Sequence, residues 1–164
     1  MINKNQLTER SFTPSQLSGF DGAHSIQLPV DFIHDLSKAD SLQAVLDTIA
    51  YWISHVFDAD RASITLQDTE EYLKLYSISG NHAIPMDFKI PIGQTFVGRV
   101  FAQSQLIICD DLAQSDELDC KMLSEHGMGT CMDAPMIHNG VCIGTLNVAD
   151  QRKYHYTLQQ AILL

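Results

Sequence analysis

Thr130-Cys131-Met132-Asp133-Ala134-Pro135-Met136-Ile137-His138, then Asn139-Gly140, then Val141-Cys142-Ile143-Gly144-Thr145-Leu146-Asn147-Val148-Ala149: two largely apolar runs flank an Asn-Gly pair. Asn-Gly is the strongest short-range signal for a two-residue type I′ turn, since both central residues take positive φ. The stretch therefore reads as an antiparallel hairpin. An unbroken register sets His138 opposite Val141, Ile137 opposite Cys142 and Cys131 opposite Val148. Met132, Ala134, Met136, Val141 and Ile143 then point one way, and Cys131, Ile137, Cys142, Leu146 and Val148 the other. With both faces apolar, the pair must be covered on both sides. The sheet is expected to be the middle of a three-layer sandwich. Pro135 has no N–H for the ladder and is expected at an edge or beside a bulge. Gly144 falls opposite Pro135, where a missing side chain serves packing.

Outward from the hairpin, the other elements follow from periodicity. Leu42, Val45, Leu46, Ile49, Ile53 and Val56 recur at helical spacing, predicting a helix over about residues 41–57. Asp40 reads as its N-cap, with Gln43 completing a capping box. A shorter helix is expected over Pro29 to Lys38. Arg61 to Gln67, Tyr72 to Ser79, Phe88 to Pro91 and Leu106 to Cys109 read as strands. Gln94 to Gln103 and Asp116 to His126 read as helices, the second stopped by Gly127. Residues 1–27, polar with scattered apolar residues, are expected to be a flexible leader before one domain over residues 28–164. The final run, Leu158, Ala161, Ile162, Leu163 and Leu164, reads as a helix without a C-cap, expected to be truncated here and to continue in the natural protein.

Composition narrows the function classes. The 164 residues are 45% hydrophobic, enough for one real core. Ten Lys and Arg stand against 20 Asp and Glu, a net charge of -10. That balance repels phosphate backbones and anionic membrane surfaces, so neither nucleic acid nor membrane is an expected partner. No stretch spans a bilayer and no secretory h-region opens the chain, which points to the cytoplasm. Cys109, Cys120, Cys131 and Cys142 lie eleven residues apart. No zinc spacing accompanies them, and the segments between change character, so no common face is expected. They read as small buried thiols, unpaired in a reducing compartment.

The order of elements and three motifs resemble the GAF domain family. Ile90-Pro91-Ile92-Gly93-Gln94-Thr95-Phe96-Val97-Gly98-Arg99-Val100 is similar to the family's Gly-led helix entry. Leu106-Ile107-Ile108-Cys109-Asp110-Asp111 is similar to its strand-loop segment. Ala134-Pro135-Met136-Ile137 through Gly140-Val141-Cys142-Ile143-Gly144-Thr145-Leu146-Asn147-Val148 is similar to its Pro-containing hairpin. The resemblance implies an α+β fold, a GAF-like three-layer α/β/α sandwich with a central five- or six-stranded antiparallel sheet. Gly93 and Gly98 are expected to let the helix entry turn tightly and pack close to the sheet.

Members of this family that bind cyclic nucleotides share an Asn-Lys-x-x-x-Phe-x-x-x-Asp-Glu signature, of which only Asp116-Glu117 has an echo here. The surround of a bilin is absent, and for haem only His126 is a candidate axial ligand. An enzymatic alternative is a free methionine-(R)-sulfoxide reductase-like activity, for which the cysteines supply thiols. No GxSxG, HExxH or P-loop appears, and the seven histidines show no metal-ligand pairing. The resemblance thus implies a regulatory domain rather than an enzyme, with no catalytic residues, no metal and an unknown cofactor. It would bind an unidentified small molecule between the sheet and residues 94–126, and relay occupancy through its terminal helices to an output domain C-terminal to residue 164. A homodimer is expected; a dimerisation module without ligand is the other alternative. The candidate ligand-binding residues are Cys109, Asp110, Asp111, His126 and Asp133. Asp133 is singled out because an unpaired carboxylate among apolar neighbours is costly and requires a partner, a ligand or solvent. Carboxylates dominate this set, so the ligand is expected to be neutral or cationic, or to reach them through a metal or water.

Overall fold

The structure, a computed structural model, describes residues 8–18 and 28–164. In chain order it comprises β1 (Glu9–Phe12), α1 (Pro14–Ser18), α2 (Val30–Lys38), α3 (Leu42–Val56), β2 (Arg61–Gln67), β3 (Tyr72–Gly80), β4 (Lys89–Pro91), α4 (Phe96–Gln103), β5 (Leu106–Cys109), α5 (Leu118–Glu125), β6 (Thr130–His138), β7 (Val141–Asp150) and α6 (Leu158–Leu163). Every strand pairing is antiparallel, in the order β1-β5-β6-β7-β2-β3-β4.

The sheet has seven strands rather than five or six, because β1 comes from the expected leader. All four residues of β5 are buried, so its outer edge needs backbone partners that water cannot supply. β1 supplies them, and long-range ion pairs hold it: Arg10 to Asp110 at 2.6 Å and Glu9 to Arg99 at 2.7 Å. Residues 9–18 are therefore ordered secondary structure. The remainder of the expected leader, 1–7 and 19–27, lies outside the described residues.

Two cores sandwich the sheet. One face carries Leu73, Leu75, Ile107, Cys109 and Cys131 beneath α4 and α5. The other carries Ala62, Ile108, Met132, Ala134 and Val148 against Phe57, Tyr156 and α6. α3 starts one residue later than expected: Ser41, not Asp40, is the cap, its side chain accepting from Ala44 N–H at 3.1 Å. Gly98 allows a close approach, since a Cβ there would collide with the backbone of Ile92. Gly93 meets nothing within 4 Å, so the expected packing role applies to Gly98 alone.

The hairpin turns at Asn139 (φ 50°) and Gly140 (φ 77°), as the Asn-Gly pair requires. His138 faces Val141 and Ile137 faces Cys142, and then the register shifts. Met136 faces Gly144, so Ile143 is an extra residue in β7 and the strands carry a bulge. Pro135 lies one residue from it. Beyond the bulge the expected pairs are displaced by one: Cys131 faces Ala149, Asp133 faces Asn147, and Gly144 faces Met136 rather than Pro135. A one-residue slip moves a strand's residues to the opposite face. Leu146 and Val148, expected beside Asp133, turn away; Thr145, Asn147 and Ala149 replace them.

Candidate functional site

The slip builds the floor of a cavity. Cross-strand partners share a face, so Asp133 of β6, Asn147 of β7 and Ser63 of β2 form one polar rung. Cys131, Ala149 and Arg61 form the next. Above them lie Val97 of α4 and Asp119 and Leu123 of α5, with Leu75, Ile84 and Ile90 completing an apolar wall. The cavity, part open to solvent, holds about 30 Å³, room for one or two waters.

The polar groups here are unequally met. Asp133 is 5% exposed and has no hydrogen-bond partner among the described residues. Burial pushes its carboxyl well above the usual carboxylate range and the charge of Asp119 adds to this, while Arg61 pulls it back. Asn147 donates from Nδ2 to Ser63 Oγ at 3.2 Å, but its Oδ1 is buried without a partner. Arg61 is 4% exposed; Nη1 donates to Asn81 O at 2.6 Å and Nη2 to Ile84 O at 3.4 Å. It forms no ion pair among the described residues. Burial lowers its pKa to about 10 despite Asp133, which leaves it cationic at neutral pH.

α5 covers the cavity, and Asp119 ties it to α4. Its Oδ1 accepts from Phe96 N–H at 2.8 Å and its Oδ2 from Val97 N–H at 2.9 Å, capping α4 from another helix. Burial raises the Asp119 carboxyl, and these backbone donors oppose the rise. Thr95 Oγ1 accepts from Gly98 N–H at 3.0 Å and completes the cap. Arg99 joins Glu117, at the start of α5, to Glu9 of β1, both at 2.7 Å.

Of the five residues nominated from sequence, only Asp133 lines this cavity. Asp110 is paired with Arg10, and Asp111 caps a 3-10 turn through Ala113 N–H while reaching Lys153. His126 is exposed at the C-cap of α5, its Nδ1 2.9 Å from Met122 O. Cys109 belongs to a cluster that equal spacing did not lead one to expect. It is the cross-strand partner of Cys131, and Cys120 of α5 contacts both. The Cys120 contact and burial push Cys109 up, and burial pushes Cys131 up. Cys120 is lowered by Cys109 but raised more by Cys131 and burial. All four cysteines are free thiols. Among the described residues no group of three or more His, Cys, Asp or Glu is placed to hold a metal ion. Sequence reasoning missed Arg61, Ser63, Asp119 and Asn147. Asn147 is polar between Leu146 and Val148, a signal that becomes readable only with the bulge.

A family model for the GAF domain matches residues 41–164. The chain belongs to the GAF domain family. GAF domains are sensory and regulatory modules, and the seven-stranded α+β sandwich is the GAF fold. Similar solved structures include the GAF domain of a phosphoenolpyruvate-protein phosphotransferase from Coxiella burnetii (TM-score 0.69, 18% identity, 81% of this chain and 82% of that one). The corresponding domain from Acinetobacter gives 0.67 and 15%, covering 81% of each chain. A free methionine-R-sulfoxide reductase from Neisseria meningitidis, solved with its substrate, gives 0.67 and 19%, covering 80% of this chain and 77% of that one. At such identities the likeness speaks for the fold alone. No curated protein sequence matches. Among the described residues no helix of this GAF domain is long and apolar enough to cross a membrane.

Proposed function

We propose that this GAF domain is the small-molecule-sensing unit of a signal-transduction protein, with its ligand held over Asp133, Asn147 and Ser63. One observation carries the reading: Asn147 Oδ1, buried without a hydrogen-bond partner, and the buried carboxyl of Asp133, near Arg61 but not paired with it, face one small cavity. Unmet buried polar groups cost stability and call for an explanation such as a ligand. A relay accompanies the site. Glu117 of the α5 lid binds Arg99, Arg99 binds Glu9 of β1, and Arg10 of β1 donates to Tyr156 O at 2.8 Å, just before α6. Movement of α5 thereby reaches the C-terminal helix and, through it, an output domain beyond residue 164.

A homodimer fits the same reading, since Val30 and Ile33 of α2 and Leu42 and Tyr51 of α3 expose apolar surface suited to a symmetric partner. A reductase-like enzyme is disfavoured, because the nucleophile in that chemistry is a thiolate, while the Cys120 contact and burial raise Cys109 and burial raises Cys131 and Cys142 above the usual thiol range. The test is a thermal-shift screen of small metabolites alongside native mass spectrometry. A ligand bound only by the folded state raises the melting temperature. Neither a stabiliser nor a co-purifying molecule, together with a dimer by light scattering, would make the ligand-free dimerisation module the better account.

A further inference from the structure

A ligand sensed in this cavity has to meet what the fold leaves unmet, and this extends the sensing role proposed above. Arg61 uses two of its five N–H donors on Asn81 O and Ile84 O, leaving three. Ser63 Oγ accepts from Asn147, so its own O–H remains free to donate. Asn147 Oδ1 is an acceptor without a donor. Asp133, whose carboxyl burial pushes well above the usual range while Arg61 pulls it back, offers an O–H and a C=O side by side when it carries its proton. Each kind of ion meets an opponent here. An anion suits Arg61 but faces Asp119 on the same wall, and an ammonium suits Asp119 but faces Arg61. Either would also shed its hydration in a small, largely apolar space. A neutral group with an acceptor on one edge and a donor on the other meets no opponent.

We propose that the ligand is a small neutral molecule carrying a carbonyl beside an N–H, such as a lactam, a cyclic ureide or an unphosphorylated nucleobase-like heterocycle. Its carbonyl accepts from Arg61 and Ser63, and its N–H donates to Asn147 Oδ1. In a ring with a second such edge, as in a cyclic ureide or uracil, that edge pairs with the Asp133 side chain through two hydrogen bonds. Leu75, Ile90 and Val97 pack against the ring. At about 30 Å³ the cavity is too small for it, so α5 moves to admit it. Gly127, at φ 89° just past the lid, is a joint at which that movement is accommodated.

The test is an amide-resolved NMR titration of the unmodified chain with 2-pyridone, uracil and δ-valerolactam, against benzoate, benzylammonium and alanine. The neutral probes should shift the Asn147 side-chain NH₂ and the backbone amides of Ser63 and Asp133 in a saturable way. Asn147→Leu should weaken binding roughly tenfold or more, the effect of removing one buried hydrogen-bond partner. Asp133→Asn, which keeps a neutral C=O and N–H pair, should hold affinity within a few-fold, whereas Asp133→Leu should lose it. If a charged probe shifts these residues and the neutral ones do not, the ligand class is wrong and the site stands. If no probe of any charge moves them, the sensing site itself is refuted. Because the titration uses the wild-type chain, it decides between these outcomes even where a variant fails to fold.

Discussion

Asp119→Ala tests whether the lid is held as the geometry implies. The carboxylate accepts from Phe96 N–H at 2.8 Å, Val97 N–H at 2.9 Å and Cys120 N–H at 3.0 Å. Phe96 is 0% exposed and Val97 5%, so water does not readily replace the lost acceptor. A hydrogen bond to a charged group contributes about 1.5–3 kcal/mol, and losing a helix cap costs about 0.5–2 kcal/mol. These overlap, since the Phe96 and Val97 bonds are the cap, and about 3–5 kcal/mol is expected in total. Against a typical stability of about 5–15 kcal/mol, that is a large fraction. Urea unfolding followed by far-ultraviolet circular dichroism at neutral pH should show a lower midpoint at unchanged slope. Asp119→Asn keeps one acceptor but points an NH₂ at a backbone donor, and should lose about 1–3 kcal/mol. Amide exchange at Phe96 and Val97 should quicken in both variants. An Asp119→Ala protein within about 1 kcal/mol of wild type would mean that α5 is held by something other than this cap.

Asp133 should behave in the opposite sense. Its folded pKa is raised by burial, so the folded state keeps the proton longer, and stability falls as pH rises from the unfolded carboxylate value toward the folded one. Asp133→Asn should therefore melt higher than wild type at pH 7, with the gap closing toward pH 4; equal melting temperatures throughout would contradict the burial argument. Gly98→Ala, a change that in an exposed helix gains about 1 kcal/mol, should here cost about 1–3 kcal/mol, because the added Cβ meets the Ile92 backbone. A higher melting temperature for that variant would show that the turn before α4 yields easily.

Local chemistry made much of the fold legible. Asn139-Gly140 specifies its own turn, the stripe from Leu42 to Val56 specifies its helix, and two apolar hairpin faces require two covering layers. The parts that were not legible depend on long-range pairing. β1 is held by contacts about 100 residues away in sequence, and nothing in Glu9-Arg10-Ser11-Phe12 announces its partner. The floor of the cavity was hidden by one residue. An unbroken hairpin register puts Leu146 opposite Asp133, and the bulge puts Asn147 there instead. Pro135 foretold a bulge, but not which strand would carry the extra residue. Asp110 and Asp111 resemble site residues in sequence because acidic loop residues often are. In space they serve as an ion-pair partner for Arg10 and as a cap for a turn.

The cap and the cavity set opposing demands on the same helix. A ligand shifts a conformational equilibrium only through its differential affinity for the two states. If admission requires α5 to release Phe96 and Val97, the cost of that release is subtracted from the ligand's contacts. Contacts that alone would give a Kd of about 1 μM correspond to about 8 kcal/mol; less a release cost of about 3–5 kcal/mol, the observed Kd falls near the millimolar range. On the sensing role proposed above, such a cap favours a response to an abundant metabolite over capture of a scarce one. On the same proposal Asp119, rather than a residue touching only the ligand, sets the threshold. Weakening the cap as in Asp119→Asn raises the population of the open lid, and should tighten binding even as it lowers stability. A purely structural cap would lower stability and leave affinity unchanged.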